Sequence, residues 1–120
     1  MNQNNNPMSV KQAQQKVDNW IKEFGVRYFD NLTNLGILME EVGELSRIMT
    51  RIHGEQSFKN SDQNYNLADE MADILFVLIC LANQNNIDLE KAFIKNLDKK
   101  TNRDKNRHLQ NHKLTKKKAI

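Results

Sequence analysis

The sequence contains few residues that interrupt helices, with one proline and four glycines among 120 residues. So few turn-formers predict a small number of long helices. The chain also lacks a second cysteine, so Cys80 cannot form an internal disulfide and is expected to be a core residue in a reducing cytoplasm. The longest apolar run, Ile74 to Ala82, is too short to cross a bilayer, and the polar residues 1–6 lack an export signal. These absences favour a cytoplasmic, all-α protein with one domain and no membrane partner.

The charges are distributed unevenly along the chain. The formal net charge is +3, but residues 99–120 carry +8 and the first 98 residues carry −5. An acidic body is suited to holding a cation, and a basic end is suited to approaching polyanions.

Hydrophobic periodicity predicts four helices. The expected helices run from about Ser9 to Phe24, from Leu32 or Thr33 to His53, from Tyr65 to Asn83, and from a cap at Asp88 to about Lys99. Ser9 and Gln12 have the spacing of a capping box. Residues 1–8 are predicted to be a flexible N-terminus, residues 9–108 the folded domain, and residues 109–120 a basic, poorly ordered tail.

The second and third helices carry the clearest apolar patterns. The second has a regular seam, which we expect to face the core, formed by Leu35, Leu38, Val42, Leu45, Met49 and Ile52. The C-terminal half of the third helix is apolar on all sides, which predicts burial against a second subunit.

Two acidic pairs lie beside these seams. Glu41 and Glu44 are one turn apart on the second helix, and Glu70 and Asp73 repeat the spacing on the third. Four carboxylates at the rim of a core would repel one another and lose hydration, and a hard divalent cation removes both costs. Oxygen ligands without a paired histidine favour Mg²⁺, with Mn²⁺ as a possible substitute. The ordinary alternative is a solvated surface whose acids make salt bridges.

These residues resemble a known family. The segments Glu40-Glu41-Val42-Gly43-Glu44-Leu45 and Glu70-Met71-Ala72-Asp73-Ile74-Leu75-Phe76 are similar to the EExxE…ExxD signature of the MazG-like nucleotide pyrophosphohydrolases, part of the all-α NTP pyrophosphatase superfamily. The similarity covers about residues 9 to 108. It implies a four-helix bundle module completed by oligomerisation, as a homodimer or a homotetramer.

The resemblance also implies an activity and a set of roles. The activity is Mg²⁺-dependent cleavage of nucleoside triphosphates between the α and β phosphates, giving a nucleoside monophosphate and pyrophosphate, in nucleotide-pool housekeeping. Glu41, Glu44, Glu70 and Asp73 would be metal ligands, and Glu40 matches the first acid of the motif. Glu40 or a ligand carboxylate such as Glu41 would take the proton of the attacking water. Phosphate-binding groups are expected after the fourth helix, at Lys99, Asn102, Arg103, Lys105 and Arg107.

Aromatic residues before the second helix are candidates to contact the base. Tyr28 and Phe29 lie in a predicted connector and are assigned to substrate binding, whereas Trp20 and Phe24 are expected in the core.

Two alternatives remain open from the sequence. The basic tail could bind nucleic acid non-specifically, although it lacks aromatic residues and the body is acidic. The chain could otherwise be a non-catalytic helical interaction protein whose acids are solvated.

Overall fold

The computed structural model describes residues 7–59 and 66–116, and within these ranges the protein is all-helical with no strand. The helices are α1 (Val10–Trp20), α2 (Asn31–His53), α3 (Leu67–Gln84), α4 (Leu89–Asp104) and α5 (His112–Thr115), with a π-helical segment at Ile21–Gly25 after α1. The all-α prediction is confirmed. The N-terminal residues 1–6, the end of the basic tail at 117–120 and the expected helix start at Tyr65 lie outside the described residues.

Side-chain caps explain where the long helices begin. Ser9 and Gln12 form the expected capping box: Ser9 Oγ accepts from the Gln12 backbone N–H at 3.0 Å, and Gln12 Oε1 accepts from the Ser9 backbone N–H at 2.8 Å. The other three caps each accept one backbone N–H three residues later. They are Asp30 before α2, Asn66 before α3 and Asp88 before α4.

The end of α1 differs from the prediction. The α-helical hydrogen bonding stops at Trp20, and the chain continues as the wider π turn Ile21–Gly25. Val26 then adopts a φ of 70°, a conformation that is costly for a β-branched residue. This reversal directs residues 27–30 back towards the start of α2. The connector therefore lies beside the central helices, where Tyr28 contacts Asn83 of α3.

Helix α3 lies at the centre of the fold, packed against α2 and α1, and α4 packs on α1. The buried apolar side chains of the described residues are Ile21, Ile48, Val77, Ile79, Cys80 and Ala82. This core is small for a chain of 120 residues. The expectation that Cys80 is a core residue is confirmed, because only 3% of it is exposed, and this burial raises the pKa of its thiol to about 11.

The predicted seam of α2 is only partly a core face. Leu35 is 48% exposed and Val42 43% exposed, and Met49 and Ile52 are exposed as well. The side of α2 that packs on α3 lies next to that seam and includes Asn34, Glu41 and Ile48. The prediction that this seam faces the core is therefore wrong, within a single chain, for Leu35, Val42, Met49 and Ile52, whereas Leu38 and Leu45 are half-buried.

No helix in the described ranges is both long and apolar enough to cross a membrane.

Candidate active site

Amide side chains fix α2 antiparallel to α3. At one end of the pair, Asn34 Nδ2 donates to Gln84 Oε1 at 2.7 Å, and Asn85 Nδ2 donates to Asn31 Oδ1 at 2.9 Å. These bonds join the first turn of α2 to the last turn of α3. Because the helices run in opposite directions, the middle of α2 then meets the first turns of α3.

The carboxylates of Glu41, Glu70 and Asp73 come together at that meeting point. Each of the three residues offers one oxygen, and these oxygens all lie within 4.8 Å of one another. Glu41 and Glu70 are half-buried. Three negative groups at this spacing form an arrangement of oxygen ligands that a divalent cation can bind.

The electrostatics of the cluster are unfavourable without a cation. Burial raises the pKa of Glu41 above its ordinary value of 4.5, and the charges of Asp73, Glu70, Glu44 and Glu40 raise it further. The pKa of Glu70 is also raised, first by desolvation and then by Asp73, Glu44 and Asp69. Both carboxyls are therefore harder to ionise than free glutamates, as expected where like charges share a site.

Glu44 and Glu40 stand apart from the three clustered acids. Both are exposed, and neither belongs to the group whose oxygens lie within 4.8 Å of one another. Their negative charges still raise the pKa of Glu41. Their assigned roles, ligand for Glu44 and proton acceptor for Glu40, stay predictions.

A cavity of ≈ 390 Å³ opens beside the cluster. Its lining is mainly apolar and includes Glu41 and Asp73. The other lining residues are Trp20, Ile21, Gly25, Arg27, Tyr28, Phe29, Asn34, Ile37, Phe76, Val77 and Cys80. A largely apolar cleft with a few converging polar groups is the usual form of a small-molecule site.

Tyr28 is held firmly in the cavity wall. Its hydroxyl donates to Asp18 Oδ1 at 2.6 Å and accepts from Asn83 Nδ2 at 3.1 Å. Desolvation and the Asp18 bond raise its pKa to about 12, so the phenol stays protonated at neutral pH. Asn83 is itself tied to α1 through the Gln14 side chain and backbone. The wall that Tyr28 forms is thus anchored to α1 and α3.

The other predicted aromatic residues are arranged differently. Phe29 lines the cavity and is exposed, as expected for a residue that meets a ligand. Trp20, which also lines the cavity, is 48% exposed and stacks edge-on against Phe76 with ring centroids 5.6 Å apart. Phe24 is 65% exposed and lies outside the cavity lining. The expectation that Trp20 and Phe24 are core residues is wrong for a single chain, because about half or more of each residue is exposed.

The predicted phosphate-binding residues lie at the far end of α4 and just beyond it. Lys99, Asn102, Arg103, Lys105 and Arg107 are all exposed. Arg103 donates to Asp104 Oδ2 through Nη2 at 2.7 Å, and Arg107 Nη1 donates to Asp104 Oδ1 at 3.1 Å. None of the five lines the cavity beside the acidic cluster. Their role in phosphate binding stays a prediction.

Two cavity-associated residues were not found from the sequence. Asn34 precedes Glu41 by seven residues, and Gln84 follows Val77 by seven, so each shares a helix face with a site residue. That spacing is the signal that could have identified them. An uncharged amide on a buried face has no metal-ligand spacing of its own and is easily passed over.

Comparison with known proteins places this region in a recognised group. The family model of the MazG nucleotide pyrophosphohydrolase domain matches residues 29–108. The matched range contains the acidic cluster, the connector aromatic Phe29, and all of α2, α3 and α4.

Relatives from Bacillus match over most of their length. YpjD of Bacillus subtilis (strain 168), described as uncharacterised, is 38% identical over 99 residues, which cover 82% of this chain and 89% of YpjD. YvdC of the same strain, also described as uncharacterised, is 28% identical over 96 residues, covering 72% of this chain and 91% of YvdC.

Two solved structures share the fold. The crystal structure of Bacillus subtilis YpjD superposes with a TM-score of 0.66 at 30% identity, covering 97% of this chain and 100% of that one. The Bacillus-conserved MazG protein, a nucleotide pyrophosphohydrolase, superposes with a TM-score of 0.65 at 35% identity, covering 78% of this chain and 89% of that one.

Proposed function

Because the chain belongs to the MazG nucleotide pyrophosphohydrolase family and is a hydrolase acting on pyrophosphate bonds, we propose that it cleaves nucleoside triphosphates between the α and β phosphates. The products would be a nucleoside monophosphate and pyrophosphate, in nucleotide-pool housekeeping. The observation that carries the proposal is the cluster of Glu41, Glu70 and Asp73, two of which line an apolar cavity. An acidic cluster suits a metal-bound triphosphate, and the adjoining cavity suits a nucleoside.

The acidic cluster fits a divalent cation. The donor set consists of carboxylate oxygens alone, and the mutual repulsion that raises the pKa of Glu41 and Glu70 is the condition that a bound cation relieves. Glu41, Glu70 and Asp73 would hold Mg²⁺ or Mn²⁺, with Glu44 completing the set from the next turn of α2. When bound, Mg²⁺ would neutralise phosphate charge and lower the pKa of a bound water.

The residues of the chain supply orientation and proton acceptance. Hydrolysis of a phosphoanhydride depends mainly on positioning and charge neutralisation, with little covalent chemistry for the protein to perform. Tyr28 and Phe29 would hold the nucleoside in the cavity, which directs its phosphates towards Glu41 and Asp73. Two carboxylates can accept the proton of the attacking water, Glu40 and Glu41. Glu41 touches the cavity, and Glu40 is the neighbouring exposed acid.

Exposed apolar residues on α2 and α3 support an oligomer. Exposed apolar side chains form what we call the open apolar face: Leu35, Val42 and Met49 of α2, and Met71, Leu75 and Leu78 of α3. Leu75 and Leu78 also line an apolar cleft together with residues of α1 and α4. Exposed apolar side chains of this kind mark a protein interface, and we propose a homodimer or homotetramer assembled through the open apolar face.

The second copy is also the source we propose for the phosphate-binding groups. The basic end of α4 does not line the cavity of its own chain, so Lys99, Asn102, Arg103, Lys105 and Arg107 would act on the site of a neighbouring copy. Guanidinium groups suit this role because they bind phosphate oxygens with paired hydrogen bonds.

Product analysis tests the proposed reaction. We expect purified protein with Mg²⁺ to convert a deoxynucleoside triphosphate to equal amounts of monophosphate and pyrophosphate, separated by anion-exchange chromatography. A chelator should abolish turnover, and Mn²⁺ should restore it. Formation of a diphosphate and orthophosphate would show cleavage between the β and γ phosphates and contradict the proposal. Absence of turnover with every common triphosphate would contradict it as well.

A further inference from the structure

Asn34 is a buried polar residue in the wall of the cavity. Its side chain is on the first turns of α2, it is only 5% exposed, and it lines the cavity together with Glu41 and Asp73. A buried amide needs partners for both its donors and its acceptor, because leaving one unsatisfied costs free energy.

The hydrogen bonds of Asn34 fix the orientation of its amide. The backbone carbonyl of Phe29 can only accept, and it accepts from Gln84 Nε2. Gln84 must therefore turn its Oε1 the other way, where it accepts from Asn34 Nδ2 at 2.7 Å. Asn34 Nδ2 also donates to the Phe29 carbonyl at 3.4 Å. Reversing the Asn34 amide would place its oxygen against two other oxygens, so the amide stays as it is.

This orientation leaves one group of Asn34 without a partner. Both Nδ2 hydrogens are used, while no donor from residues 7–59 or 66–116 bonds to Oδ1. The cavity wall therefore offers a fixed hydrogen-bond acceptor on a residue that is only 5% exposed. A ligand N–H is the group that would satisfy it.

The distance along α2 agrees with a nucleotide lying in the cavity. Asn34 and Glu41 are seven residues apart on one helix face, which corresponds to about 10 Å along the axis. This separation is comparable to the span between the edge of a base and the α phosphate in an extended nucleotide. A nucleotide with its phosphates at the acidic cluster can thus place its base edge at Asn34.

We propose that Asn34 Oδ1 accepts a hydrogen bond from an exocyclic amino group of the base, so that the site prefers adenine or cytosine over hypoxanthine or uracil. The inference rests on the proposed function and names the substrate class for it. Asn34 presents only the lone pairs of Oδ1 to a ligand, since Gln84 Oε1 and the Phe29 carbonyl already bind its two Nδ2 hydrogens. An amino group donates to Oδ1, whereas the oxo group at the same ring position would set oxygen against oxygen.

Matched substrate pairs test the inference. The pairs dCTP with dUTP and dATP with dITP each exchange an amino group for an oxo group. We expect the wild type to favour the amino member of at least one pair by about 10-fold or more in kcat/KM, the size of effect for one buried hydrogen bond. In Asn34→Leu, that ratio should fall to about one, because the acceptor is gone.

Two further variants separate recognition from folding. Gln84→Ala keeps Asn34 but removes the acceptor that orients its amide, so its ratio should lie between those of the wild type and Asn34→Leu. Asn19→Leu makes the same substitution at an exposed position of α1, outside the cavity lining, and should keep the wild-type ratio. Thermal melting of each variant checks the fold, and Gln84→Ala still tests the inference if Asn34→Leu fails to fold.

The outcomes distinguish this inference from the proposed function. If the wild type turns over triphosphates but shows no amino preference, or if Asn34→Leu and Gln84→Ala keep the preference, the role of Asn34 is overturned while the hydrolase assignment stands. If no triphosphate is cleaved between the α and β phosphates, the proposed function itself fails.

Discussion

Replacing Glu41 with glutamine should lower kcat/KM for a triphosphate by roughly 10²–10³-fold, the loss that follows removal of one preorganised group that stabilises transition-state charge. Glu41 is the only acid contributed by α2 to the three clustered carboxylates, and it also lines the cavity. Glutamine has nearly the same shape but no negative charge, so the change removes a cation ligand with little effect on packing. Steady-state pyrophosphate release, measured across Mg²⁺ concentrations, gives the result.

The thermal stability of metal-free Glu41→Gln should be unchanged or higher, although its activity falls. The folded-state pKa of Glu41 and Glu70 is raised above 4.5, so near and above that pH the folded protein holds more protons than the unfolded chain. The free energy of unfolding of the metal-free protein therefore falls as pH rises through this window. Glu41→Gln removes part of that penalty, and its metal-free melting temperature at neutral pH should be equal to or above that of the wild type.

Glu55→Gln is the matched control for Glu41→Gln. Glu55 is exposed just beyond the end of α2 and lies outside both the acidic cluster and the cavity lining. It should keep wild-type turnover and the wild-type stabilisation by Mg²⁺. If Glu41→Gln retained wild-type activity, the role of Glu41 as a cation ligand would be contradicted. If its melting temperature fell along with its activity, the loss of activity would be due to unfolding and not to the missing ligand.

Replacing Leu78 with lysine should dissociate the oligomer and reduce turnover. Leu78 is 41% exposed in the single chain and belongs to the open apolar face of α3. A buried leucine contributes about 1.5–3 kcal/mol, and a two-fold interface contains each residue twice, so the dissociation constant should rise roughly 10²–10⁴-fold. Light scattering coupled to size-exclusion chromatography should report a mass near 14.0 kDa for the variant and a multiple of it for the wild type.

Leu109→Lys makes the same change outside the open apolar face. Leu109 is 73% exposed beyond the end of α4, and its substitution should leave both mass and turnover unchanged. Activity of the Leu78→Lys variant should recover at high protein concentration, where association is restored by mass action. A wild-type protein that is a fully active monomer would contradict the proposed assembly.

The sequence predicted the helices well because their ends depend on local chemistry. Ser9, Gln12 and Asp88 act as caps through hydrogen bonds to residues three positions away, and such bonds can be anticipated from spacing alone. The end of α4 was predicted too early. The chain remains helical to Asp104, the last residue of α4, and the Asp104 side chain forms ion pairs with Arg103 and Arg107.

The sequence could not show which apolar face of α2 lies inside the chain. Leu35 and Val42 have the periodicity of a core seam, yet in one chain they are exposed, while the neighbouring stripe with Glu41 and Ile48 packs on α3. Periodicity reports that a face is apolar but not whether α3 or another molecule covers it. The same limit applies to the basic residues of α4, whose distance from the carboxylates depends on tertiary packing.

The candidate site was predicted in part for a similar reason. Glu41, Glu70 and Asp73 were found because paired acids beside a seam are unusual, and the structure brings these three together. Asn34 and Gln84 were missed because their importance comes from one backbone carbonyl, that of Phe29, which orients both amides. That carbonyl reaches them only because the π turn after α1 returns the connector to the bundle.

The most direct measurement is anomalous diffraction from a crystal grown with Mn²⁺ in place of Mg²⁺. The account predicts a strong anomalous peak within coordination distance of carboxylate oxygens of Glu41, Glu70 and Asp73. No peak at that position in a well-ordered, Mn²⁺-saturated crystal would contradict the claim that these acids form the cation site of a nucleotide hydrolase.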